Sequence, residues 1–455
     1  MFLTALLLAG LIALLTAYFV TLKSRYDYFR LRGIPGPSHL FFFGHYRTIW
    51  SAKFYSRLLQ SWTQQYGPIY GLYDGTRPLY VVSDVDFLQE VFIKQFSCFH
   101  SHRFSFLLRM SDARPLISAD VRRWRHCAFG IDTDMQNDIN NEFMLKSAAC
   151  FEKHVEHVLL TKWSYLMPWL TPFLIKFVRG QLAIMGALHN ILPTIFPDIL
   201  ETIPTLWLQS KVDRIIDTRR KSSETIKRID LLQLLLDATT TQSDKPTSEN
   251  ELHIDEVKAN AFLFMAAGYE TTSTALAYST YILATKPDIQ HKLHAEIDVY
   301  YENKIDYDLI TKMTYMDLFI REVLRMFPMS TMGITRQCNE TTTVCGHQID
   351  KGTVIQPDIF SIHYNSEIWG PDDPNQFLPE RHATERHPLA YLAFGAGPRA
   401  CIGMRFALME MKMCLAHLLR NYTVLPGEHL EEGFKLHEIF VIQPDAIYIK
   451  LEKRC

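Results

Sequence analysis

A ten-residue segment near the end of the chain, residues 394–403, constrains the fold more than any other part of the sequence. It reads Phe-Gly-Ala-Gly-Pro-Arg-Ala-Cys-Ile-Gly and is followed directly by helix-forming residues over 404–420. This pattern predicts that Cys401 lies at a helix N-terminus, where the helix dipole and free backbone N–H groups favour a thiolate. Gly395, Gly397 and Gly403 allow the backbone to turn tightly around the sulfur. The sequence therefore predicts a loop that holds a thiolate.

A thiolate held in this way can serve as an axial ligand that pushes electron density onto heme iron. An isolated cysteine is more often an inert core residue, so its neighbours decide between the two interpretations. The segment resembles the heme-binding signature of the cytochrome P-450 family. The resemblance implies that the cofactor is heme b (iron protoporphyrin IX) and that Cys401 is the metal ligand. It also implies that Phe394 packs beside the sulfur and that Arg399 pairs with a heme propionate.

A second motif lies in a long apolar segment, residues 255–285, which predicts a single helix that ends before Pro287. Near its middle, Glu270 and Thr271 follow Gly268 and resemble the acid–alcohol pair of the same family. The resemblance implies that these two side chains are catalytic and relay protons to dioxygen. Two ordinary alternatives stay open: Thr271 can donate a hydrogen bond to the carbonyl of residue 267, and Glu270 can be a surface carboxylate.

Four further arginines and one tryptophan match other positions of the family. Glu322 and Arg325 are spaced i and i+3, and Arg381 stands in a Pro-Glu-Arg motif. The resemblance implies a buried structural network that fixes the segment before Cys401. An ordinary solvated ion pair is the alternative for Glu322 and Arg325. Arg336 resembles a propionate-binding arginine, and Arg103 and Trp124 resemble two more cofactor-binding residues.

Length and composition agree with one large catalytic domain. The chain has 455 residues, of which 48% are hydrophobic, and a net charge of −2, which argues against a nucleic-acid partner. The eight cysteines contain no Cys-x-x-Cys pair, which argues against zinc or a disulfide framework. The resemblance implies a mainly α (α+β) cytochrome P-450 fold. Short strands within 68–73 and 79–82 predict its small β-rich lobe.

The first residues predict a membrane anchor. Residues 2–22 form an uninterrupted apolar run that would span roughly 30 Å as a helix. Lys23, Arg25, Arg30 and Arg32 follow it, so the catalytic part is expected in the cytoplasm. We therefore predict one N-terminal transmembrane helix (1–22), a basic and proline-containing hinge (23–37) and a catalytic domain (38–455). This predicts a single-pass protein of the endoplasmic reticulum membrane; a cleaved signal peptide is the alternative.

One place departs from the family. After Trp124 the family continues for several dozen residues, with an arginine four positions past the tryptophan, but position 128 here is Ala and the chain passes at once to a segment similar to one far downstream. The resemblance therefore implies that a segment near residue 128 is missing, which would remove one helix of the core bundle and most of its neighbour. Residues 231–420 resemble the steroid- and drug-oxidising third family and its thromboxane synthase relative most closely.

The resemblance implies a heme-thiolate monooxygenase that inserts one oxygen atom from O₂ into apolar small-molecule substrates such as steroids, fatty acids or xenobiotics. Electrons would come from an NADPH-dependent cytochrome reductase, with cytochrome b5 as an optional second donor. Two alternatives stay open: an isoform impaired by the missing segment, and a peroxide isomerase like thromboxane synthase. The pair Glu270 and Thr271 favours the monooxygenase, because the isomerases lack it.

Overall fold

The structure, a computed structural model, describes residues 2–102, 142–149, 159–221, 230–239 and 252–454, except 301, 303, 331 and 440. Arg103, Trp124 and the predicted break near residue 128 lie outside the described residues. The described residues fall into two units. The first comprises residues 1–104, 156–170 and 324–401, and the second comprises 105–155, 171–323 and 402–455.

Helices account for most of the described secondary structure. The α-helices are α1 Phe2–Tyr26, α2 Tyr28–Leu31, α3 Tyr46–Ser51, α4 Tyr55–Tyr66, α5 Val85–Gln89, α6 Glu142–Ala149, α7 Leu159–Leu166, α8 Thr171–Ile191, α9 Ile199–Thr202, α10 Pro204–Lys221, α11 Leu231–Asp237, α12 Ile254–Thr285, α13 Pro287–Asp298, α14 Tyr307–Lys312, α15 Thr314–Met326, α16 Ile359–His363, α17 Ser366–Trp369 and α18 Met404–Asn421. The strands are β1 Ile69–Asp74, β2 Arg77–Val82, β3 Arg336–Gln337, β4 Thr342–Val344, β5 His347–Ile349, β6 Val354–Pro357, β7 Tyr422–Pro426, β8 Leu436–Glu438, β9 Ile442–Pro444 and β10 Ile449–Lys453.

The first unit is built around a four-stranded sheet with the order β1-β2-β6-β3. β1 and β2 form an antiparallel hairpin, β2 pairs with β6 in parallel, and β6 pairs with β3 antiparallel. Tyr80, Phe87, Phe92 and Ile355 are fully buried in a cluster at this sheet. Because the two predicted strands are β1 and β2, the β-rich lobe expected from the sequence is confirmed.

The N-terminal helix α1 covers the whole apolar run, but the structure does not support the transmembrane helix. In the described part of the chain, no helix is both long enough and apolar enough to cross a membrane. Leu22, which the sequence places inside the span, is buried, as is Tyr26, whose hydroxyl donates to the Gly75 carbonyl at 3.2 Å. The following residues are also packed: the Gly71 N–H donates to the Pro35 carbonyl at 2.8 Å, which ties the proline segment to β1.

The second unit is mainly helical, with α12 as its longest element. The helix begins at Ile254 and ends at Thr285, close to the bounds that the sequence predicts. His253 caps its N-terminus in a capping box with Glu256, which satisfies the first free N–H groups. Ala261 and Leu283 are fully buried toward its two ends. Apolar packing therefore fixes both ends of α12.

Candidate active site

The segment around Cys401 folds as a tight loop in the first unit. Gly395 and Gly397 adopt the left-handed conformation, with φ of 68° and 69°. A Cβ atom at Gly397 would lie 2.1 Å from the carbonyl oxygen of Phe92, so only glycine fits there. The Cys401 N–H donates to the Phe394 carbonyl at 2.7 Å, and the Cys401 side chain is exposed. The loop therefore closes on itself and leaves the residue that carries the thiol accessible.

The helix expected after the loop is α18, which begins at Met404, three residues after Cys401. Gly403 occupies its N-cap position and supplies no side-chain cap. The Gly403 carbonyl accepts the first intrahelical hydrogen bond, from Ala407 N–H at 2.8 Å. The order of loop, glycine and helix predicted from the sequence is therefore confirmed.

Two buried arginines hold the irregular segment that precedes the loop. Arg325 is fully buried and donates to the carbonyls of His363 and Pro374 at 2.6 and 2.8 Å. Arg381, also buried, donates to the carbonyls of Trp369, Asp373 and Gln376 at 2.9–3.1 Å, and weakly to that of Asp372. Each guanidinium thus satisfies backbone acceptors that no helix or strand serves. The prediction that these arginines have a structural role in this segment is confirmed.

Glu322 is the third member of that predicted network, and it lies on the same helix, α15, as Arg325. It is fully buried, and so is Arg325. Burial excludes the alternative interpretation of a solvated surface pair, because such pairs stay exposed to water.

Arg336 presents unpaired hydrogen-bond donors inside the first unit. The side chain is fully buried, with its guanidinium carbon 4.3 Å from the ring centroid of Phe92. Only Nη1 finds partners, the carbonyls of Thr335 and Ile334 and the ring of His102, whereas Nε and Nη2 have none among the described residues. Burial, followed by repulsion from Arg399, lowers the pKa of Arg336 to about 9. A buried cation with free donors beside a second cation is an arrangement that an anion would relieve.

This cationic cluster adjoins the Cys401 loop. A Cβ atom at Gly395 would lie 3.4 Å from the side chain of Ile334, two residues before Arg336. Arg399 belongs to the loop itself and donates from Nε to the His100 carbonyl at 3.2 Å; burial lowers its pKa. Within the first unit, the structure thus brings together the loop and two of the predicted propionate arginines.

His102 is a member of the cluster that the sequence reasoning missed. Its Nδ1 lies 3.2 Å from Arg336 Nη1 and 3.1 Å from the Thr335 carbonyl oxygen. Burial, together with the charges of Arg336 and Arg399, lowers the pKa of His102 to about 4, so the ring is neutral at physiological pH. The sequence analysis predicted a cofactor-binding role for the adjacent Arg103. The neighbouring basic residue at position 102 was the signal that could have identified His102 as well.

The acid–alcohol motif lies on α12 in the second unit. Thr271 Oγ1 donates to the Ala267 carbonyl at 2.7 Å, which is the ordinary hydrogen bond that the sequence left open as an alternative. Glu270 is buried, with 9% of its surface exposed, which excludes the alternative of a surface carboxylate. Ala267 and Gly268 are exposed, and a Cβ atom at Gly268 would meet no atom of the described part of the chain within 4 Å. The middle turn of α12 is therefore open on the face of Gly268.

Comparison with known proteins identifies the family of this chain. The family model named Cytochrome P450 matches residues 34–127 and 125–451. The chain belongs to the cytochrome P-450 family. Among curated relatives, it is 29% identical to the Caenorhabditis elegans cytochrome P-450 CYP13A7, over 93% of this chain and 94% of the relative. It is 30% identical to CYP13A3 of the same organism, over 97% of this chain and 98% of the relative. It is 28% identical to cytochrome P-450 3A31 of Mesocricetus auratus, over 94% of this chain and 93% of the relative.

Membership establishes the class of chemistry. Cytochrome P-450 proteins are oxidoreductases that use heme b, a redox-partner reductase and a small-molecule substrate, and the chain is such an enzyme by family. The family match breaks at residues 125–127, beside the position where the sequence places a missing segment. The alignment with CYP13A3 runs over 515 positions, more than the 455 residues of this chain, so that relative carries residues with no counterpart here.

Proposed function

We propose that this cytochrome P-450 is a heme-thiolate monooxygenase that inserts one oxygen atom from O₂ into an apolar substrate. The observation that carries the proposal is the Cys401 loop beside the cationic cluster of Arg336 and Arg399. In this proposal Cys401 supplies the thiolate ligand, and Phe394 shields the sulfur. Arg336 and Arg399 bind the heme carboxylates, and Arg103 and Trp124, outside the described residues, add to that binding.

The fit of heme to these residues is supported by the unpaired donors. Heme b carries two carboxylates, and the free Nε and Nη2 groups of Arg336 need an anionic acceptor. When bound, the heme supplies the redox chemistry that activates dioxygen. The neutral ring of His102 can accept a hydrogen bond from Arg336 and turn its remaining donors toward that anion.

The proposed proton relay uses Glu270 and Thr271. The buried carboxylate can hold a proton, and the hydroxyl can pass it on. The Thr271 hydroxyl donates its single proton to the Ala267 carbonyl, so the relay requires the hydroxyl to rotate away from that carbonyl before it can pass a proton on. The open face at Gly268 supports the proposal, because small reactants can approach the helix there.

Turnover with a defined electron source tests this function. Purified full chain, NADPH and NADPH-cytochrome reductase, with and without cytochrome b5, should consume O₂ and hydroxylate a member of a steroid, fatty-acid and xenobiotic panel. Product detected by mass spectrometry should carry one oxygen atom from ¹⁸O₂. Oxygen incorporation from water instead, or product formation without NADPH, would contradict the proposal.

A catalytically impaired isoform is the second candidate, favoured by the break at residues 125–127. Loss of core segments exposes apolar surface and costs stability, which is only about 5–15 kcal/mol in total for a typical protein. Heme content separates the candidates: an impaired isoform purifies without stoichiometric heme, and a functional enzyme purifies red.

We further propose that residues 1–22 anchor the protein in the endoplasmic reticulum membrane with residues 38–455 in the cytoplasm as the catalytic domain. This proposal rests on the apolar run and the basic residues that follow it. Carbonate extraction of microsomes should leave the full chain in the membrane pellet and release a variant that lacks residues 1–22. Release of both would contradict the anchor.

A further inference from the structure

A buried histidine, His363, connects α15 to the segment that leads into the Cys401 loop. The side chain is fully buried at the end of α16. Its Nδ1 lies 2.9 Å from the carbonyl oxygen of Arg325, and the N–H of Leu392 donates to its Nε2 at 2.9 Å. Because Nε2 accepts a hydrogen bond from a backbone amide, it carries no proton itself. Nδ1 therefore carries the proton and donates it to the Arg325 carbonyl.

The ring is held in this position from several sides. Arg325 Nη1 donates to the His363 carbonyl at 2.6 Å, so the two residues exchange hydrogen bonds through their side chains and backbones. The imidazole stacks on Tyr391, with a centroid distance of 5.8 Å and an angle of 9°, and meets Trp369 edge-on at 6.4 Å. A ring fixed by two hydrogen bonds and two aromatic contacts has a single orientation.

The hydrogen bonds continue from Leu392 into the loop. The Leu392 carbonyl accepts from Gly395 N–H at 2.9 Å, and the carbonyl of Phe394 accepts from Cys401 N–H at 2.7 Å. Only one residue, Ala393, separates Leu392 from Phe394. Movement of Leu392 would therefore be transmitted directly to the backbone that fixes Cys401.

We propose that His363 is a positioning residue for the thiolate loop: its Nε2 holds the Leu392 amide and thereby sets the position of residues 392–401. The value of this position for catalysis rests on the proposed function, since it requires Cys401 to be the heme ligand. The hydrogen-bond link itself does not depend on heme.

Three substitutions of His363 distinguish the hydrogen bond of Nε2 from that of Nδ1. His363→Gln places an amide oxygen near the position of Nε2, which can accept from Leu392 N–H. His363→Asn places an amide near Nδ1, which can donate to the Arg325 carbonyl but leaves Leu392 N–H without its acceptor. His363→Phe keeps the ring and removes both hydrogen bonds. His347→Asn, on the hairpin strand β5, is the matched control.

Hydrogen–deuterium exchange of the full-length chain, read by mass spectrometry on peptides that cover residues 389–401, tests the link. We expect roughly tenfold faster exchange in the Asn and Phe variants, because a buried amide loses its acceptor, and near wild-type exchange in the Gln and control variants. Peptides from β2 serve as the internal reference for global unfolding. Accumulation of folded Gln variant where Asn and Phe variants do not fold would also support the proposal.

Equal exchange in the Gln and Asn variants, or wild-type exchange in the Phe variant, would overturn the proposal.

In heme-loaded protein, the reduced carbon monoxide complex gives a second readout. The share of the red-shifted, thiolate-ligated Soret band should fall in the Asn and Phe variants and persist in the Gln variant. Absence of heme from the wild type would refute the proposed function while the exchange data still decide the role of His363.

Discussion

The region around the Cys401 loop and the middle turn of α12 carry the two halves of the proposed chemistry, and they differ in how their polar groups are satisfied. At the loop, buried side chains such as Arg325, Arg381 and His363 bind named backbone partners over several segments. At the turn of α12, Thr271 donates its hydrogen bond within its own helix, and a Cβ atom at Gly268 would meet no atom of the described residues within 4 Å.

The difference indicates that side chains from several segments fix the loop, whereas Thr271 is held within a single helix. One group at the loop breaks the pattern: Arg336 is buried, and its Nε and Nη2 have no partner among the residues that the structure describes. A buried donor without an acceptor is costly, so its retention points to a ligand.

Replacement of the thiol should abolish the thiolate signature entirely. For Cys401→Ser, the reduced carbon monoxide complex should show no red-shifted Soret band, because a hydroxyl does not replace the thiolate electronically. Cys414→Ser, in α18, should keep the wild-type spectrum. A red-shifted band in the Cys401 variant would show that another residue binds iron.

Loss of a buried arginine should lower the free energy of unfolding by far more than loss of an exposed one. Arg325→Ala leaves the carbonyls of His363 and Pro374 without donors, so the free energy of unfolding should fall by about 3–5 kcal/mol. Arg30→Ala, which removes an exposed pair with Asp27, should change it by less than about 1 kcal/mol. Urea denaturation measures both; similar losses would refute the structural role of Arg325.

Replacement of Arg336 should leave the heme-free chain as stable as before or more stable, but it should weaken heme binding. Arg336→Leu removes a buried cation with unpaired donors, so the heme-free chain should be equally stable or more stable in urea denaturation. Heme affinity should fall by about tenfold to a hundredfold through loss of a charged hydrogen bond. Arg336→Lys, which keeps the charge without the planar fork, should be intermediate. Unchanged heme affinity in the Leu variant would remove Arg336 from the site.

Of these substitutions, replacement of Thr271 should change stability least, but it should still change catalysis. Thr271→Ala removes only a hydrogen bond within α12, so stability should change by less than about 1 kcal/mol and heme should stay bound. Oxygen consumption should uncouple from product formation, with the difference released as hydrogen peroxide. Unchanged coupling would eliminate the proton relay. Ser273→Ala, whose hydroxyl bonds the same helix, is the control.

The features that were predictable from the sequence are those encoded by neighbouring residues. The loop with its glycines, the helix α18 and the bounds of α12 follow from local pattern. The burial of Arg325 and Arg381 follows from the resemblance of their short motifs to those of the family. His102 and His363 were missed because their partners lie far along the chain, at Arg336 for the first and at Arg325 and Leu392 for the second. The burial of Leu22 was missed for the same reason: an apolar run does not reveal whether lipid or protein will cover it.

The central claim is that this chain, despite the break in its family match at residues 125–127, holds heme through the thiolate of Cys401. The spectrum of the dithionite-reduced carbon monoxide complex of the full-length chain, with heme supplied during expression, tests it most directly. We predict a red-shifted Soret band that is absent from Cys401→Ser. A blue-shifted band, or protein without heme, would contradict the claim.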